Sequence, residues 1–154
     1  MATGRRYNGF YNSACGVGST TAALWNLLST AAVRPKVYEI NTGCDATPAD
    51  QAQKFAFYRT TANFGTPGAA VVGAPLDQGD PVAVTTFQTP GGTAVTQTGV
   101  TPLQWAQNQR ANFRWIAAPD SEIVIPASAT GGLALMCPVS TASSNYSYNV
   151  MWAE

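Results

Sequence analysis

The chain contains no histidine, and only 10% of its residues are Asp, Glu, Lys or Arg, balanced to a formal net charge of +0. Without imidazole, the commonest general base and the commonest metal ligand are both missing. Ser and Thr are plentiful, yet no Gly-x-Ser-x-Gly elbow occurs and no histidine is there to activate a hydroxyl. Gly16-Val17-Gly18 lacks the third glycine and the Lys of a phosphate-cradling loop. Cations are scarce, and only Arg5 and Arg6 are adjacent. Nucleic acid is therefore not an expected partner, since phosphate binding needs clustered Lys and Arg. Cysteine is limited to Cys15, Cys44 and Cys137, an odd set with no CxxC, which suggests neither a disulfide framework nor a zinc site. They read as partly buried free thiols in a reducing cytoplasm. Met1 to Phe10 lacks the basic-then-apolar order of a signal peptide, and no apolar run approaches a membrane span, so no membrane partner is expected. The expectation is a protein with no catalytic residues, no cofactor and no metal, whose chemistry is that of its surfaces.

What is present is enough for one domain: 154 residues, 45% of them apolar, can fill a core. The pattern is β throughout. Ala22 to Leu28 fits either a helical turn or a strand, and its shortness favours strand. Val33 to Asn41 reads as a strand with Val37 and Glu39 on one face and Lys36, Tyr38 and Ile40 on the other. Gln53 to Thr61 reads as a strand with Phe55 and Phe57 inward, forming with the previous one a hairpin-like unit on a long connection. Ala62 to Pro81, rich in Gly and Pro and without sustained period, reads as a long ordered loop. Val82 to Phe87 is a β-branched strand, and one or two more lie between Ala94 and Trp105. Phe113, Trp115 and Ala117 share one side of a strand that breaks at Pro119-Asp120-Ser121, and Glu122 to Ile125 follows. Leu133, Leu135 and Cys137 alternate again after Gly131-Gly132. At the end, Tyr146, Tyr148, Val150 and Trp152 occupy every second position, with Ser147, Asn149, Met151 and Ala153 opposite. About eight to ten short strands at this spacing make an all-β antiparallel sandwich over residues 22–154. Met1 to Thr21 reads as an N-terminal arm or edge strand that needs a surface to lie on.

The acidic residues suggest little chemistry. Asp120 and Glu122 flank a turn, where Asp after Pro suits the backbone. Neither Asp77 with Asp80 nor Asp45 with Asp50 has the alternating ligand spacing of a calcium loop. Asn145-Tyr146-Ser147 matches a glycosylation acceptor, but without a secretory signal the match reads as accidental. Of the four tryptophans, Trp115 and Trp152 sit in alternating apolar runs and belong to the core. Trp105, beside Leu103 and Gln104, is the expected exposed or intersubunit ring.

The stretches KVYEINTGCDATPADQAQKFAFYRTT and ANFRWIAAPDSEIVIPASATGGLALMCP, with Pro75-Leu76-Asp77 in the Gly/Pro loop between them, resemble the small jelly-roll proteins of tailed-phage virions. The resemblance covers roughly Leu24 to Trp152 and leaves the arm unmatched. It implies a single antiparallel jelly-roll β-sandwich. The implied role is a homotrimeric cement or decoration protein on the outer capsid surface, made in the host cytoplasm, with the major capsid protein as partner. A receptor- or carbohydrate-binding module of a tail fibre or spike is the alternative, with Trp105 and the 62–81 loop as contacts. On the cement reading, the expected contacts are Arg5, Arg6, Tyr7, Phe10 and Tyr11 in the arm and Pro75, Leu76 and Asp77 in the loop.

Overall fold

A computed structural model describes residues 4–15, 23–64, 68–91, 94–139 and 144–154. Among these residues the structure is all-β, with two antiparallel sheets packed face to face as a β-sandwich. No helix among them is long and apolar enough to cross a membrane.

The first four strands are β1 (Arg6–Cys15), β2 (Ala23–Leu28), β3 (Lys36–Cys44) and β4 (Ala52–Ala62). Short ones follow: β5 (Ala70–Val72), β6 (Ala74–Pro75), β7 (Thr86–Gln88), β8 (Thr96–Gln97), β9 (Gln104–Asn108), β10 (Phe113–Ile116) and β11 (Ile123–Val124). The chain closes with β12 (Gly132–Val139) and β13 (Ser144–Ala153). One sheet has six strands in the order β10-β3-β13-β1-β6, with β11 also on β3; the other has seven, β5-β7-β2-β12-β4-β8, with β9 also on β4.

Alternation builds the core. From the six-stranded sheet Tyr7, Val37, Ile40, Tyr146, Tyr148, Val150 and Trp152 point inward. They meet Trp25, Leu27, Phe55, Phe57, Phe87, Leu133 and Leu135 of the other sheet. Phe55 crosses the gap, setting its ring edge-on to Tyr146 at 5.0 Å. Such aromatic pairs add to what their buried area already contributes. β2 is buried along its whole length because its outer side is covered as well: Phe64 and Val95 fold down onto Ala23, Ala134 and Met136. This two-sided burial is why Leu24, Trp25, Leu27 and Leu28 satisfy both helical and strand periods.

Several expectations need correction. Within the stretch read as an arm, residues 6–15 are a paired strand. Arg6–Cys15 pairs with β13 over ten residues and drives Tyr7 fully into the core, while residues 1–3 and 16–21 lie outside the described residues. The edge-strand reading is nearer: on its other side β1 meets β6 only at Tyr7 and Asn8 among the described residues. β3 and β4 lie in different sheets and make no hairpin. In β3, Val37 and Ile40 both face the core, because the pairing with β13 skips Tyr38; this one-residue bulge reverses the alternation. The 62–81 loop contains β5 and β6, one in each sheet, so the chain changes sheets at Gly73. A side chain there would stand 2.5 Å from the Trp152 ring, so only glycine fits the crossing. Val82 to Thr85 is not strand, because the Val84 and Thr85 amides donate to the Glu154 carboxylate at 2.6 and 3.0 Å instead of to a ladder.

The free-thiol reading also fails for two of the three cysteines. Cys15 ends β1 facing inward, Cys137 faces it from β12, and the two form a disulfide across the sandwich with Cα atoms 6.3 Å apart. Cys44 is free and half-buried. The sequence separation of 122 residues conceals the pair; only the stacking of the sheets brings it together.

Candidate functional site

Four of the expected contact residues meet at one corner. β6 lies along the start of β1, with Tyr7 opposite Pro75 and the Leu76 amide donating to the Arg6 carbonyl at 2.8 Å. A tight turn follows, in which Asp77 Oδ1 accepts from the Gly79 amide at 2.9 Å and the Asp77 carbonyl from the Asp80 amide at 3.0 Å. Asp80 then reaches back to Arg5, Oδ1 to Nε 3.2 Å. Arg5 and Glu154 exchange a pair of backbone hydrogen bonds, each 3.0 Å. The Glu154 carboxylate ties down the neighbouring 82–85 segment, accepting also from the Thr85 hydroxyl.

The result is an open cleft of about 340 Å³ lined by Gly4, Arg5, Arg6, Leu76, Asp77 and Asp80. Leu76, at 52% exposure, is joined by exposed Val72, Val82 and Val84 on the adjoining segments. Here β5 and β6 end the strand orders of their sheets, so each leaves one backbone edge unpaired among the described strands. Arg6 is exposed and makes no ion pair among the described residues. The corner thus offers hydrogen-bonding edges, exposed aliphatic side chains and, in Arg6, a cation with no ion pair among the described residues, the equipment of contact with another protein. Asp77 and Asp80 are occupied by the turn and by Arg5. Among the described residues no group of His, Cys, Asp or Glu is placed to hold a metal.

The remaining expected contacts go elsewhere. Tyr7 is in the core, its ring stacked on Trp152 at 6.0 Å; burial, then Glu154, raises its phenol above the usual value. Tyr11 is half-buried against the core, and Pro75 is half-buried in β6. Phe10 is 48% exposed, on the outer face of the six-stranded sheet, away from the cleft. Trp105 is a core residue and not an exposed ring. It stacks on Phe113 at 4.5 Å and 10° and donates its indole N–H to Gln107 Oε1 at 3.1 Å. A sugar platform built on that ring is therefore excluded.

Sequence reasoning weighed Asp80 only as a calcium ligand, not as the partner of Arg5, and missed Glu154 and the exposed Val82 and Val84, whose every-second spacing mimics a strand. It also missed the outer face of the six-stranded sheet. There Arg114 donates to Glu39 Oε1 at 2.7 Å, and Asn41 Nδ2 to the same oxygen at 3.0 Å. These bonds, Arg114 first, hold the Glu39 carboxyl below its usual range despite its burial. The signal was the run Ser147, Asn149 and Met151 opposite the core-facing positions of β13.

No family model, no curated protein and no solved structure matches this chain.

Proposed function

We propose that this β-sandwich is a jelly-roll virion subunit, a non-enzymatic cement or decoration protein that binds the outer surface of a phage head as a homotrimer. The observation that carries the proposal is the convergence of Arg5, Arg6, Leu76 and Asp77, from opposite sides of a long chain separation, on one exposed corner. A neutral, ion-poor surface supports it, since copies of the chain have little charge to keep them apart. A symmetric oligomer multiplies modest corner contacts into tight attachment, because the second and third contacts form at high effective concentration.

Co-sedimentation with purified heads tests this. The double variant Arg5→Glu, Leu76→Asp reverses the charge and removes the central aliphatic without touching the core. It should lower occupancy about tenfold, the effect of losing roughly 1.4 kcal/mol of contact. Unchanged occupancy refutes the corner as the docking surface, and wild-type chain that never sediments with heads refutes the virion role.

A further inference from the structure

We propose that the outer face of the six-stranded sheet carries a second site, for a neutral saccharide, centred on a dent at Gly43. The register places Phe10 opposite Asn149, Asn149 opposite Asn41, and Asn41 opposite Arg114. One straight row of four side chains therefore crosses four strands, a span of roughly 14 Å at the usual strand spacing. In the next row Ser147 stands opposite Gly43. Asn112, just before β10, leans over this glycine: a side-chain carbon on Gly43 would stand 2.6 Å from Asn112 Oδ1. With no side chain on Gly43, Asn112 packs against the bare backbone there and walls one side of a depression of about 360 Å³, lined by Asn41, Gly43, Asn112, Arg114, Ser147 and Asn149 among others.

The lining suits a polyol. Each Asn offers a carbonyl acceptor beside two N–H donors, the complement of adjacent hydroxyls that both donate and accept. Arg114 engages Glu39 through Nε, so its charge is balanced while its Nη donors remain unused among the described residues. A balanced pair gives no preference for an anion and selects a neutral ligand. Asn41 is held by the same carboxylate and Asn149 by Asn8, whose Nδ2 donates to it at 3.3 Å, so the groups are positioned before a ligand arrives. Phe10, exposed at the end of the row, supplies a flat apolar surface for the C–H side of a sugar ring. Ile116, opposite Glu39, is the exposed aliphatic of this face, while Leu76, Val82 and Val84 are exposed on the segments at the corner.

The test is a titration of the full-length ¹⁵N-labelled protein with maltotriose, cellotriose and N-acetyllactosamine, followed through side-chain amide resonances. At least one sugar should shift the Asn41, Asn112 and Asn149 signals saturably, with Kd on the order of 1 mM. Asn112→Ala with Asn149→Ala should weaken this about tenfold, and Gly43→Val, which fills the dent, should abolish it, both at unchanged thermal midpoint. The corner variant Arg5→Glu, Leu76→Asp should titrate like wild type, so failure at either surface is seen separately. No shift with any of the three sugars overturns the proposal. So do shifts that survive in both variants, or the same resonances responding to purified heads and not to sugar.

Discussion

Trp105 in β9 and Phe113 in β10 come from different sheets, and their stacked rings close the margin where those sheets meet. The indole N–H shares Gln107 Oε1 with the Thr42 hydroxyl at 2.8 Å, and Gln107 Nε2 donates to the Ala111 carbonyl at 3.2 Å, so this buried polar chain is satisfied. Trp105→Ala removes the ring and one donor together; urea unfolding should show a loss of about 3 to 5 kcal/mol. Titration effects also belong to single residues. Burial pushes the Tyr146 phenol from 10.0 up to about 12 and raises that of Tyr148 in the same direction. The native state favours the neutral phenol, so the stability is fully present below pH 10 and is lost as pH rises towards 12. Glu39 has the opposite sign: its lowered carboxyl stabilises the fold above its ordinary value of 4.5, and that contribution disappears as pH falls through the folded value. Thermal midpoints measured across pH should fall at both ends, and Arg114→Ala should flatten the acid limb.

Among elements, β1 is the one whose role changed most between sequence and structure. Its alternation of Tyr7, Gly9 and Tyr11 is a strand pattern, but the glycine and asparagines among its aromatics made it look like an arm. Because Tyr7 is in the core and β1 pairs with β13 along its whole length, deleting residues 1–11 should unfold the protein. Loss of the β-sheet circular dichroism signal checks this; a folded, soluble truncated protein would contradict it. The Cys15–Cys137 bond ties β1 to β12 across the core. Replacing both cysteines by serine should cost about 2 to 5 kcal/mol in urea unfolding, since the bond closes a long loop in the unfolded chain. Strands of moderate length with one buried face, β4 and β13 above all, were legible from alternation. β5 and β6 were not, because two or three residues carry no period and their pairing depends on partners distant in sequence. The bulge at Tyr38 and the disulfide were hidden for the same reason: both are set by a facing strand. At the site, Arg5, Arg6, Leu76 and Asp77 were found as residues, but their meeting is a product of the β1–β6 pairing.

As a whole molecule, the sandwich separates its surfaces. The corner of Arg5, Arg6 and Leu76 carries exposed aliphatics and open strand edges, whereas the depression at Gly43 on the outer face of the six-stranded sheet is lined mainly by amides and one balanced ion pair, with Phe10 and Ile116 exposed elsewhere on that face. An aliphatic edge suits a protein partner and an amide face suits a hydrated one. With a net charge of +0, self-association should vary little with ionic strength, which sedimentation at low and high salt can check. The most direct measurement of the docking account is hydrogen–deuterium exchange of the chain free and bound to purified heads. The account predicts added protection in residues 5–8 and 74–85, with the outer-face strands β3 and β10 unchanged. Protection confined to those outer-face strands, or none at the corner, would contradict it.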